Sequence, residues 1–266
     1  ALDRARYTLR DFRPFLLRRI VRLDPPYFAS MLLGITCAYA STLVPGFRGQ
    51  TPAYSAAQLL GHVAYLTDFF GFDPIIVVYW SLALEFQYYL FMGLAFPLIA
   101  HRSMGVRIGM LAMLGLAALV TPTPVVVFRW FFLFLLGVLS FYYRRERLGG
   151  WGYAAGLVLA GAGAYVVHGG LAAAAGVASA LLITFADLHR RPLMFLGEIS
   201  YSLYLVHVPI AGRVINAATH VALGTAGTAI VPIVAFAVAV GSAWLFHRLV
   251  EKPARRWAEN MTYGRG

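Results

Sequence analysis

Acidic residues are scarce in this chain and lysine is nearly absent. Only 11 of 266 residues are aspartate or glutamate, against 22 lysine plus arginine, and Lys252 is the one lysine. Charged residues make up 12% of the total, where a soluble globular domain carries about 25%, so a soluble enzyme is excluded. Cysteine occurs once, as Cys37 inside an apolar run, which excludes disulfides and cysteine metal sites. No metal site is expected. The chain opens with Ala1 and an arginine-rich polar stretch rather than the basic start, apolar core and small-residue cleavage site of a signal peptide. No internal repeat shows, and no soluble domain is expected within this sequence, where 19 residues follow His247.

What fills the sequence instead is apolar. Hydrophobic residues make up 60% and the mean hydropathy is +0.71. Apolar runs at 27–44, 75–100, 106–121, 125–143, 151–168, 170–186, 196–218 and 228–247 read as eight membrane-spanning helices. The run at 106–121 is short, about 24 Å as a helix, and crosses with help from its flanks. The expected fold is an all-α, polytopic integral membrane helix bundle forming one domain over 1–266. It has a basic segment at 1–26, an outer connection at 45–74 and a tail at 248–266. A net charge of +11 does not point to nucleic acid, because the basic residues fall between the apolar runs. With these spans, 19 of the 22 lie on one side and Arg48 alone on the other, with Arg129 and Arg213 inside spans nearer to Arg48. By the positive-inside rule both ends of the chain face the cytoplasm. The preference for arginine, with high alanine and glycine, points to a GC-rich bacterial genome and hence the inner membrane.

Three stretches carry chemistry. The first is Trp80-Ser81-Leu82-Ala83-Leu84-Glu85-Phe86-Gln87-Tyr88-Tyr89. Glu85 lies about ten residues into its run, about 15 Å deep, where a carboxylate costs about 2.5–3.5 kcal/mol. Helical spacing puts Ser81, Tyr88 and Tyr89 on its face, directed into a bundle. An acid inside a membrane span points to a functional site, with a structural, hydrogen-bonded carboxylic acid as the alternative. The second is the run Arg18-Arg19-Ile20-Val21-Arg22 leading into Pro25-Pro26-Tyr27, three guanidiniums at the cytoplasmic mouth. Arginine forks suit phosphate oxygens, although from spacing alone a positive-inside anchor on anionic lipid is the favoured reading. In the third, Ser200 precedes Tyr201, Tyr204 and His207, which are spaced by three on one helix face beside Pro209. Such a stripe serves packing or a shared cavity with Glu85.

The segment 45–74 has helical apolar spacing at Leu59, Leu60, Val63, Ala64 and Leu66 and then Asp68 and Asp73. It reads as an interfacial or re-entrant helix that receives an external substrate or covers the bundle. Gly156, Gly161, Gly163 and Gly176 are expected to let neighbouring helices approach closely.

At these stretches the chain resembles the acyltransferase 3 family of integral membrane acyltransferases. The matching residues are the arginine run into Pro25-Pro26-Tyr27, Trp80-Ser81-Leu82-x-x-Glu85 with Tyr88, and Leu196-Gly197-x-x-Ser200-Tyr201-Ser202-x-Tyr204-x-x-His207. Glu251-Lys252-Pro253 closes the match. The resemblance implies transfer of an acyl group, commonly acetyl, from cytoplasmic acyl-CoA to a hydroxyl of a cell-envelope or secreted carbohydrate. Acyl-CoA is then the donor substrate, with no permanently bound cofactor, and a glycan or lipid-linked glycan is the acceptor. It further implies that Arg18, Arg19 and Arg22 serve the coenzyme A phosphates, and that Glu85, Tyr201, Tyr204 and His207 line the transfer path, supported by Trp80, Ser81, Tyr88 and Ser200. The family usually has ten spans, the first carrying an arginine eleven positions before a catalytic histidine. No histidine here has an arginine eleven positions before it, so the chain is expected to lack the family's first two helices. A proton-coupled transporter or flippase of a polar or lipid-linked solute would use the same midplane acid, although such carriers often show a repeated half.

Overall fold

A computed structural model describes residues 7–45, 50–99, 101, 103–186, 190–219 and 224–261. Arg4, Arg6, Arg48, Arg102 and Arg265, used in the charge argument, lie outside them. The described residues are 81% helix, with no strand among them. Eleven α-helices are described: α1 (Phe12–Thr42), α2 (Ala56–Val63), α3 (Tyr79–Ile99), α4 (Met104–Val120), α5 (Phe131–Arg144), α6 (Gly150–His168), α7 (Gly170–Phe185), α8 (Arg191–Glu198), α9 (Ser200–Ala218), α10 (Thr225–Phe246) and α11 (Lys252–Asn260). A π-helical turn, His247–Glu251, joins α10 to α11.

Four stretches are long and apolar enough to cross a membrane: Tyr79–Ile99, Val127–Arg144, Gly150–His168 and Gly227–Asn260. A fifth arises if α8 and α9, bent by 70° at Ile199, count as one. The apolar helices α4 and α7 are shorter. The run at 27–44 belongs to a much longer element: α1 begins at Phe12 and takes in the whole arginine run over 31 residues. Pro25 and Pro26 sit inside it and remove two backbone donors.

The described residues cluster into two compact units. One comprises Arg10–Tyr89 with Phe195–Gly266, and so contains α1, α2, the first half of α3, the second half of α8, and α9 to α11. Its core is built on Tyr27, Ile76, Tyr79, Leu82, Ile199, Leu205 and Val206. Aromatics at the α1–α2–α3 junction pack face and edge, with Tyr27 4.7 Å from Tyr79 and 5.0 Å from Tyr65.

The other unit, Ala1–Leu9 with Leu90–Met194, packs α5, α6 and α7 around Leu136, Ala160 and Ala180. Small residues set the spacing, as the glycine pattern predicts. A Cβ on Gly163 would come within 2.5 Å of the Phe132 ring, and one on Gly176 within 2.6 Å of Leu133. The opposite faces are bare of protein, with Leu159 72% and Leu171 88% exposed. Apolar surface on that scale belongs against lipid.

Candidate active site

In the first of these units the Glu85 helix, the arginine helix and the Tyr201–His207 helix come together. Glu85 accepts a short hydrogen bond from Tyr89, one turn along α3. The Arg19 guanidinium lies over the Tyr89 ring, 4.5 Å from its centroid, a cation–π contact that places a positive charge one side chain from the carboxylate. Arg22 also acts electrostatically on Tyr89. Arg18 points elsewhere: its Nε and Nη2 donate to the backbone carbonyl of Met261, just past α11. The run therefore divides. Arg19 stacks on the tyrosine that bonds the acid and Arg18 faces the tail, because adjacent helical positions diverge by about 100°.

From α9 come two tyrosines within reach of the Glu85 charge. Tyr201 donates to the Leu23 carbonyl at 3.0 Å, beside the Pro25–Pro26 interruption of α1. The Tyr204 hydroxyl donates to the Val78 carbonyl and pairs with Ser81 Oγ. One turn on, the His207 ring is 6.0 Å from that of Tyr204. Its Nδ1 lies 3.0 Å from the Leu203 carbonyl and 2.9 Å from that of Tyr204. Two acceptors at Nδ1 select the tautomer protonated there, leaving Nε2 with a lone pair. Nε2 has no hydrogen bond among the described residues.

The supporting residues separate. Ser81 joins the tyrosine pair, and Tyr88 packs against Tyr89 at 6.3 Å. Trp80 borders a small cavity shared with Tyr27, His62, Tyr65, Thr67 and Asp68. Ser200 is exposed and donates to the Gly197 carbonyl at 2.9 Å, securing the bend between α8 and α9.

The connection after α1, read from the sequence as an interfacial or re-entrant helix, folds back along α1, and its partners there were not legible beforehand. His62 and Tyr65 meet Tyr27 and Asp24, at least fifteen residues before the end of α1, which is about 22 Å along the helix. His62 is 1% exposed. Its Nδ1 lies 3.1 Å from the Tyr27 hydroxyl, which donates to the His62 carbonyl, and its Nε2 accepts from the Ile75 backbone N–H at 3.1 Å. That arrangement requires the neutral ring, and burial accordingly lowers the His62 pKa. Tyr65 adopts φ +57°, an outlying conformation for a bulky residue. Its hydroxyl bond to Asp24 (2.9 Å) and its stacking on Phe86 (4.7 Å) and Tyr27 hold it there. His62 itself stood out in the sequence only as a polar residue among apolar ones.

A second polar group lies at the π-helical turn. Glu251 accepts from Ser202 Oγ at 2.6 Å and from His247 Nδ1 at 3.0 Å, all three buried. His247 Nε2 is 3.6 Å from Glu198. Only the i,i+4 spacing of His247 and Glu251 was legible beforehand. π turns recur at functional sites, but here the turn ties α9 to α10 by satisfying a buried carboxylate.

Comparison with known proteins gives the family. No curated protein and no solved structure matches this chain. The family model for the acyltransferase domain Acyl_transf_3 matches residues 5–248, which includes every residue just described except Glu251 and Met261. The chain therefore belongs to the acyltransferase 3 family and carries a membrane acyltransferase domain.

Proposed function

We propose that this acyltransferase moves an acyl group, acetyl in the simplest case, from cytoplasmic acyl-CoA to a hydroxyl of a cell-envelope or secreted carbohydrate. One observation carries the reading. The Arg19–Tyr89–Glu85 chain connects an arginine-rich mouth to a carboxylate inside an apolar helix. In this reading α1, α3 to α7, the bent α8–α9 pair and α10 make eight spans in an inner membrane, with both ends of the chain cytoplasmic.

Coenzyme A phosphates dock on Arg19 and Arg22, with Arg18 at the edge beside the tail. The thioester reaches the level of Glu85 and Tyr201. His207 Nε2 accepts the proton of the acceptor hydroxyl as its oxygen attacks the thioester carbonyl. A group in that role must come within hydrogen-bond reach of the proton it removes. The Tyr201 and Tyr204 hydroxyls turn from the Leu23 and Val78 carbonyls to the developing oxyanion. The C–S bond then breaks, and coenzyme A leaves as thiolate and takes the proton from His207. Glu85 keeps the site negative opposite the imidazolium, as the buried acid of a catalytic triad does. The family's histidine on an Arg-x10-His helix would add to these groups.

The test is Glu85→Gln, which keeps shape and removes charge. Transfer from acetyl-CoA to a carbohydrate acceptor should fall at least 100-fold in membranes, with thermal stabilisation by acetyl-CoA retained. Transfer at the wild-type rate would remove Glu85 from the mechanism. The pair Arg19→Ala and Arg22→Ala should raise KM for acetyl-CoA, and an unchanged KM would return that run to lipid anchoring.

A further inference from the structure

Two arginines lie within helices away from the arginine-rich ends, and they are treated differently. Arg129, at the start of its span, is saturated by backbone. Nη1 donates to the Thr121 carbonyl at 2.8 Å and to Pro122 at 3.2 Å, and Nη2 donates to Val167 at 3.0 Å. It caps the carbonyl ends of α4 and α6, where a cation is favoured by the helix dipole. Arg213, on α9, has no such partners. It makes no hydrogen bond and no ion pair among the described residues, and its Nε is sealed from solvent with nothing to donate to.

Its place in the unit is definite. Tyr201, at the start of α9, meets Leu23, near the arginine-rich end of α1. Arg213 is twelve residues further along, about 18 Å away. Tyr39 and Tyr54 stand at that far end, with ring centroids 6.4 Å apart. Burial and Tyr39 raise the Tyr54 pKa, and the charge of Arg213 opposes them, so the guanidinium is within electrostatic reach of the Tyr54 hydroxyl. That hydroxyl also has no hydrogen bond among the described residues. An arginine fork with a dry, unused Nε beside a free phenol is a donor set without its acceptor. Guanidinium geometry matches two oxygens of a phosphate, bidentately, and a buried donor left unmade is costly.

We propose that Arg213, with the Tyr54 hydroxyl, binds a phosphate-class anion at the end of this unit opposite the arginine run, borne by a lipid head group or by a phosphorylated acceptor. The site is separate from Arg19, Arg22 and Glu85 and needs no turnover to be observed.

The full chain would be placed in phosphatidylcholine nanodiscs and its thermal stability followed against glucose 1-phosphate, then compared with discs containing phosphatidylglycerol. A ligand that binds only the folded state raises its stability by mass action. Saturable stabilisation by glucose 1-phosphate identifies a phosphorylated acceptor, and stabilisation only on adding phosphatidylglycerol identifies a lipid head group. In either case Arg213→Gln should weaken the response at least tenfold and Arg213→Lys less, since lysine keeps charge and loses the fork. If Arg213→Gln does not fold, Arg213→Lys and Tyr54→Phe carry the comparison, and each should weaken binding several-fold. Absence of any response in the wild type, or a response equal in the variants, overturns the site. Acetyl-CoA stabilisation measured on the same samples should be unchanged by Arg213→Lys, so failure here is distinguishable from failure of the donor site.

Discussion

Glu85 is tolerated in an apolar helix because the Tyr89 hydroxyl donates to it and Arg19 stands behind that ring. Removing the donor isolates its contribution. Tyr89→Phe leaves the carboxylate without its short hydrogen bond, and losing a hydrogen bond to a charged group costs about 1.5–3 kcal/mol. A correspondingly lower midpoint of thermal unfolding is expected, along with reduced transfer. His62 gives a prediction of a different kind. Its ring must be neutral, because Nε2 accepts from the Ile75 amide, and burial depresses its pKa below the ordinary 6.5. A group whose folded pKa is depressed contributes stability that is fully present above its unfolded pKa and is lost as pH falls through the folded value. Stability should therefore decline below about pH 6.5, and His62→Gln should flatten that decline. An identical pH profile in the variant would show that the latch does not depend on the ring's charge.

At the level of elements, the re-entrant segment depends on a short helix with a good start. The Ser55 side chain accepts from the Gln58 amide at 3.0 Å, and loss of such a cap costs about 0.5–2 kcal/mol. Ser55→Ala should loosen the segment locally, seen as faster amide exchange over 56–63 with little change in α6 or α7. Helix packing in the other unit makes the complementary prediction. Gly163→Ala drives a methyl into Phe132, and overpacking costs about 1–3 kcal/mol. Gly137→Ala meets nothing within 4 Å and should be neutral. Equal melting temperatures for the two variants would contradict the close approach of α6 to α5. These contacts were partly legible: the glycine pattern announced close helices, but nothing in it named Phe132 and Leu133 as the partners.

For the whole molecule, orientation is the property most open to a direct check. Cys37 is the only native thiol, so Cys37→Ser gives a background for single reporters. With both ends cytoplasmic, Thr51→Cys should react with an impermeant maleimide in intact cells and Arg147→Cys only after lysis. The reverse pattern would invert the reading of donor and acceptor sides.

Composition and periodicity alone established that this is an all-helical membrane chain and marked most of the helical runs, since burying an apolar surface in lipid is a property of each stretch by itself. The resemblance of three short motifs located the residues around Glu85. Which arginine faces the acid, how deep the connection after α1 descends, and that Ser202, His247 and Glu251 share one buried bond set were decided only by tertiary structure. The cause is the same in each case. Tyr27 with His62, Tyr201 with Leu23 and Ser202 with Glu251 are 35, 178 and 49 residues apart, and no local pattern encodes the partner of a side chain that lies on another helix.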